Sequence, residues 1–313
     1  MSEWIRKIKN ASLINAPGRM ILRLLSYDIP AKLNASITPK WRVNGKFTFQ
    51  VGDTKLNFYS EGDDGVADAL YYQPGHYEEY HELELFCRLS KNVKTVLDIG
   101  ANTGIFSVTA ALSNKNCFVY AFEPYYINAN RLKKNLALNN ISNAEIIPFA
   151  VGDTIGEITF TIPENESICD VLSANGDFTR KFYHKQLTYK NTTVNQTTVD
   201  AFVKERKITK TDLIKIDVES YEIAVWKGMS NTLKEHSPVV FCEIFFEEKR
   251  DLFYESFLNE HGYYIYMVIP DGLIRINQLY NNPDGRNYIF SRKKSVNEYL
   301  SFKDMNSIVK ELF

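Results

Sequence analysis

Two glycines four positions apart, led by an acid, stand in the run Asp98-Ile-Gly-Ala-Asn-Thr-Gly104. Glycine lets a loop turn tightly and lets backbone N–H groups approach a ligand, while the Asp98 carboxylate faces a ligand cation or hydroxyl. Asp98, Gly100, Asn102 and Gly104 are therefore candidate ligand-binding residues. Glu123, in Tyr120-Ala-Phe-Glu-Pro124, is placed to accept two ribose hydroxyls. In Pro148-Phe-Ala-Val-Gly-Asp153, apolar Ala150 and Val151 suit the faces of an adenine and Asp153 its amino hydrogens. The set points to an adenosine ligand, a feature that NAD and S-adenosylmethionine sites share. The dinucleotide fingerprint G-x-G-x-x-G is not met, because it needs glycine where Asn102 and Ile105 stand.

A second constellation is acidic. Asp217 and Glu219, in Asp212-Leu-Ile-Lys-Ile-Asp-Val-Glu-Ser-Tyr-Glu222, point toward the same mouth, and Glu243 ends the next apolar run. Three converging carboxylates repel one another unless a metal, a cationic partner or a shared proton offsets them. A pairing of one acid with Lys215, or a helix cap, explains any single member. His76 and His81 are competing proton acceptors from the segment before the glycine loop, whereas His184, His236 and His261 read as structural.

These residues belong at the ends of strands. Apolar runs at 95–99, 118–122, 146–149, 213–217, 239–243, 263–269 and 287–290 read as strands. Helical patterns at 104–112, 128–139, 199–206, 222–233 and 247–261 lie between them. Such alternation predicts an α/β fold with an open, mostly parallel sheet covered on both faces. Ligands of such sheets bind at the carboxyl ends of the strands, where the glycine loop, Glu123, Ala150, Asp153, Asp217, Glu219 and Glu243 fall. Segment 151–199 breaks the rhythm with two antiparallel-type strands around a polar loop and reads as an insertion. Ahead of the sheet, residues 1–70 read as a basic, broken amphipathic helical segment followed by a small β-meander at 41–60, with Asn44-Gly45 and Gly52-Asp53 as turns. The expected domain spans 71–292, and 293–313 reads as a helical tail.

The chain has 313 residues, 44% of them hydrophobic and 24% charged, enough for a substantial core. With 37 Lys and Arg against 38 Asp and Glu, net charge is −1, which disfavours a dedicated nucleic-acid binder. No apolar run approaches the roughly 20 residues of a membrane span. The basic N-terminus leaves weak peripheral membrane contact open. It lacks the apolar stretch of a secretory signal. Cys87, Cys117, Cys169 and Cys242 form no CxxC pair. A mature, cytoplasmic chain with free thiols is the expectation. Composition says nothing of oligomeric state.

The chain resembles the FkbM-type family of S-adenosylmethionine-dependent methyltransferases. The resemblance lies in Val96-Leu-Asp-Ile-Gly-Ala-Asn-Thr-Gly104, in Ala121-Phe-Glu-Pro124 followed by Asn135-Leu-Ala-Leu-Asn139, in Ala150-Val-Gly-Asp153 and in Ile214-Lys-Ile-Asp-Val-Glu219. It covers about residues 77–292, with Tyr77-Glu78 as a short upstream element. It implies a Rossmann-like seven-stranded methyltransferase sheet with its last strand antiparallel, S-adenosylmethionine as donor, and O-methylation of a hydroxyl on a sugar, glycan or natural product. Where the family commonly has Asp-Val-Glu-Gly, this chain has Asp217-Val-Glu-Ser220. Methyl transfer to a hydroxyl needs a base or a bound divalent cation such as magnesium. Asp217 is the expected base or metal ligand, with Glu219 and Glu243 supporting it, Glu243 as second ligand, and His76 as rival base. The competing readings are an NAD-linked oxidoreductase on a similar sheet and an inactive methyltransferase-like binding module.

Overall fold

A computed structural model describes residues 42–72, 80–164, 188–244, 248–269, 271–279, 286–295 and 297–313. The basic segment 1–41, the 165–187 part of the insertion, His76 and the Tyr77-Glu78 element lie outside the described residues.

The described chain begins with β1 (Asn44–Val51) and β2 (Thr54–Glu61), an antiparallel hairpin whose turn lies between Val51 and Thr54. Gly45 lies inside β1, opposite Ser60, so the meander expected at 41–60 is a two-stranded hairpin. Strict alternation aims Phe47, Phe49, Val51, Leu56 and Phe58 to one side, where all five are buried. They join the same apolar cluster as Leu83, Phe86, Val96, Phe106 and Phe241 of the main sheet and its helices. Burial of five such side chains contributes on the order of 10 kcal/mol before chain entropy is subtracted. The hairpin is thus part of one core with the sheet.

After α1 (Gly65–Tyr72) and α2 (Tyr80–Ser90) come β3 (Thr95–Ile99), α3 (Ile105–Ser113), β4 (Phe118–Phe122), α4 (Tyr126–Leu138) and β5 (Ala144–Ile147). A small sheet follows: β6 (Ala150–Val151) pairs in parallel with β8 (Tyr189–Thr197), which pairs antiparallel with β7 (Gly156–Pro163). The chain returns through α5 (Val199–Glu205), β9 (Leu213–Ile216), α6 (Glu222–Lys227), α7 (Ser230–His236) and β10 (Val239–Glu243). The single helix expected at 222–233 is therefore two. Asp200 on α5 accepts hydrogen bonds from Asn231 N and Thr232 N at 2.9 and 2.8 Å, giving α7 its own N-terminus. The remaining elements are α8 (Glu248–His261), β11 (Tyr264–Ile269), β12 (Gly272–Ile276), β13 (Asn287–Ser291), β14 (Tyr299–Ser301) and α9 (Met305–Leu312).

The main sheet runs β14-β12-β11-β13-β10-β9-β3-β4-β5. From β5 to β11 its seven strands follow the expected scheme: β3, β4, β5, β9 and β10 are parallel, and β13 is antiparallel to both β10 and β11. The sheet has nine strands because β12 and β14 continue it antiparallel beyond β11. The 293–313 tail is thus part strand, and α9 alone is its α-helix.

Two asparagines, Asn135 on α4 and Asn139 at its C-terminal cap, fasten the hairpin. Asn135 Oδ1 accepts from Tyr59 N at 2.9 Å, and Asn139 both accepts from Asn57 N at 2.9 Å and donates to Asn57 O at 2.7 Å. Placed one helical turn apart, they supply to the free edge of β2 the hydrogen bonds that a neighbouring strand would give.

Candidate active site

The carboxyl ends of β3, β4, β9 and β10 converge beside the 100–104 loop. Gly100 and Gly104 have φ of 85° and 95°, and Asn102, between them, 50°. A Cβ at Gly100 would lie 1.8 Å from the carbonyl oxygen of Asp217, and one at Gly104 would lie 2.1 Å from Leu132 Cδ1. The first glycine thus lets β3 and β9 close on each other, and the second lets α3 start against α4.

Asp98 is wholly buried. Its Oδ2 accepts from Ser107 Oγ at 2.6 Å, while Oδ1 has no hydrogen-bond partner among the described residues. Burial pushes its carboxyl above the usual range, and the Lys215 ammonium pulls the other way. A buried acceptor without a donor costs roughly 1–3 kcal/mol, so Asp98 suits a site that a cationic or N–H-bearing ligand completes.

Glu123 follows β4 and is also buried. Its Oε2 accepts from Asn102 N at 2.8 Å and its Oε1 from Tyr125 N at 2.9 Å. The carboxylate therefore holds the glycine loop in place, a role the sequence does not announce; each oxygen keeps a second lone pair for a hydroxyl. Burial raises its pKa to about 7, with Asp98 and Asp217 adding to the rise. Ala150 is buried in a small apolar cluster with Tyr125, Phe160 and Ile162, and Asp153 is exposed one turn further on.

On β9 the alternation sends Ile214 and Ile216 to one face and Lys215 to the other, next to Asp98 in the β3–β9 register. Lys215 is 4% exposed, its Nζ lies 2.7 Å from Asp217 Oδ2 and 4.3 Å from the centre of the Phe106 ring. Asp217, Glu219 and Glu243 each offer an oxygen within 4.8 Å of the others. Such a group has the spacing of a cation site, yet two cations of the chain already face it: Lys215 on Asp217, and Arg286, 3.8 Å from Glu243. The signal for Lys215 in sequence is a lysine inside a strand with both faces covered, since a lysine there must have a partner.

Glu219 and Ser220 both have left-handed backbone, φ 52° and 74°. The turn that glycine favours at this place is therefore kept with serine, and Glu222 Oε1 steadies it by accepting from Ser220 N at 2.9 Å.

His81 does not reach the site: it is exposed on α2 with its ring stacked on Phe302, 6.0 Å between centres. His236 Nδ1 meets Thr211 N at 3.1 Å and His261 Nδ1 meets Phe257 O at 2.8 Å, in keeping with structural roles. Cys87, Cys117 and Cys242 are buried free thiols. Among the described residues no helix is long and apolar enough to cross a membrane.

Residues 98–265, from Asp98 to the start of β11, match the family described as the methyltransferase FkbM domain. The chain belongs to the FkbM methyltransferase family. The hexuronic acid methyltransferase AglP of Haloferax volcanii is 28% identical over 145 residues, 46% of this chain and 53% of that protein. The chain thus spans about half the length of the curated relative it matches. The crystal structure of an FkbM methyltransferase from Methylobacillus flagellatus aligns with a TM-score of 0.41 at 15% identity, over 73% of this chain and 55% of that one. An S-adenosylmethionine-dependent methyltransferase described as putative, from Streptococcus mutans, aligns with a TM-score of 0.44 at 13% identity, over 79% and 55%.

Proposed function

We propose that this FkbM methyltransferase uses S-adenosylmethionine to methylate a hydroxyl of a sugar or glycan. The observation that carries the donor half is Asp98 Oδ1, a buried acceptor lacking a donor beside a glycine loop. Asp98 is the acceptor for the ammonium of the donor's amino-acid end, the 100–104 backbone borders that end, and Glu123 takes the ribose. Ala150 and Asp153 belong to the adenine side. Bound there, S-adenosylmethionine supplies an electrophilic methyl group on a sulfonium.

The acceptor half rests on Asp217. Its side chain is 24% exposed at the mouth, and Lys215 pairs with Oδ2. In this reading Asp217 takes the proton of the acceptor hydroxyl as its oxygen bonds to the methyl carbon and the carbon–sulfur bond breaks toward sulfur. Holding the hydroxyl about 3 Å from the methyl supplies much of the acceleration. Glu219 and Glu243 orient the acceptor's other hydroxyls, a task suited to carboxylates facing a polyol. The sugar class draws support from the name of the Haloferax volcanii relative, a hexuronic acid methyltransferase.

The test is a titration of purified protein with S-adenosylhomocysteine and, in parallel, NAD, followed by transfer from methyl-labelled donor to hexosides and hexuronides. Binding of the former alone, with label on a sugar hydroxyl, supports the reading. Binding of NAD alone overturns it in favour of an oxidoreductase. Donor binding without transfer to any acceptor leaves a binding module as the better account.

A further inference from the structure

The 100–104 loop is gripped from a direction that lies outside the family match. Asp64, the residue before α1, is buried, and the sequence of the glycine loop contains nothing that points to it. Its Oδ1 accepts from Ala67 N at 3.0 Å, capping α1, and its Oδ2 accepts from Thr103 Oγ1 at 3.0 Å. Thr103 is 4% exposed, and its carbonyl accepts from Asn135 Nδ2 at 2.8 Å. Its neighbour Asn102 is held through its N–H by Glu123 on the opposite side. Backbone bonds from Gly100 N and Ala101 N to Phe122 O and from Gly104 N to Ala101 O hold the loop's two ends, while its middle residues Asn102 and Thr103 are fixed by side chains from three separate elements.

We propose that Asp64 is a positioning residue for donor binding: through Thr103 it presets the glycine loop, so donor affinity depends on the hairpin–α1 segment ahead of the matched domain. This rests on the donor assignment made above. Burial of a carboxylate next to a ligand loop is costly unless its bonds are made, and both oxygens here are engaged. Loss of the Thr103 bond frees the loop to sample other shapes, and the ligand must then reorder it on binding, which weakens affinity without touching the reacting atoms. The KM for the donor rises while kcat at saturation holds.

The experiment measures S-adenosylhomocysteine affinity and thermal midpoint for wild type, Asp64→Ala, Thr103→Val, their double variant and Thr103→Ser. The control is Asp68→Asn, whose carboxylate sits in the same segment but bonds Arg42 and Val43 N instead of the loop. Expected are losses of about tenfold in affinity for each single variant. The double variant loses no more than either, because one bond is removed in all three. Thr103→Ser, which keeps the hydroxyl, binds like wild type, and Asp68→Asn lowers the midpoint while keeping affinity. If Asp64→Ala fails to fold, Thr103→Val and Thr103→Ser decide the matter. Wild-type affinity in Thr103→Val overturns the inference alone, as does equal loss in Asp68→Asn. Absence of binding in wild type overturns the donor assignment and this inference with it.

Discussion

Lys215 Nζ and Asp217 Oδ2 lie 2.7 Å apart, two positions along the chain at the end of β9, and the lysine is beside Asp98 in the sheet register. One buried ammonium thus serves two carboxylates. It supplies positive charge where the three acids at the mouth would otherwise call for a metal. Turnover is expected to stay within about twofold when EDTA or magnesium is added, and to fall at least about a hundredfold in Lys215→Met, where an uncompensated acid remains. Steady-state assays with each additive check this; strict magnesium dependence would return the cation role to Asp217 and Glu243.

Asp98→Ala is expected to abolish S-adenosylhomocysteine binding, whereas Asp217→Ala keeps binding and loses about 100-fold or more in kcat. Calorimetric titration beside single-turnover kinetics separates the two. Equal loss of binding in both variants would mean that Asp217 has been given the wrong task.

Glu123 sets a pH dependence with opposite signs for stability and binding. Its pKa is raised from 4.5 to about 7 by burial, so the folded state prefers the protonated form. The corresponding stability is full below about 4.5 and is lost as pH rises through about 7. An ionised Glu123 is the better acceptor for ribose hydroxyls, so donor affinity rises over the same window. Thermal midpoints and S-adenosylhomocysteine titrations from pH 5 to 8, in wild type and Glu123→Gln, are the check. A flat wild-type profile in both would refute the assignment.

Ser220→Gly is expected to raise stability by about 0.5–1 kcal/mol, since serine at φ 74° carries a steric cost that glycine lacks, partly offset by glycine's looser unfolded state. Chemical denaturation measures it. A loss of stability would show that the hydroxyl is worth more than the strain.

Asn135→Leu is expected to cost about 1–3 kcal/mol, because it leaves Tyr59 N and the Thr103 carbonyl without their partner in a buried place. The same denaturation series reports it, and an unchanged midpoint would show that the α4 clamp is dispensable.

The sheet was legible because strands covered on both faces are written as short apolar runs, and the acids that follow them stand where such sheets bind ligands. Thr95–Ile99, Phe118–Phe122 and Val239–Glu243 fall where the pattern puts them. What the sequence concealed depends on pairings between distant positions. Nothing local in Asn135-Leu-Ala-Leu-Asn139 tells that two amides stand in for a strand, and nothing near Asp64 tells that it meets Thr103, 39 positions away. The strands β12 and β14 were missed because Gly272–Ile276 and Tyr299–Ser301 are short and lie at the sheet's rim, where alternation is weakest. Lys215 was visible as a residue, but its dual service depends on a register that only the assembled sheet fixes.

The antiparallel strand β13 lies between β10 and β11, although it follows both in the chain. A fragment cut to the matched residues 98–265 would keep only Tyr264 and Ile265 of β11 and none of β12, β13 or β14, leaving β10 as an unpaired edge of its sheet. It would also lack the hairpin side chains that fill the opposite end of the core. Such an exposed edge invites pairing with other chains, and the sheet can close only after β13 has been synthesised, since β10 and β11 have no other strand to join them.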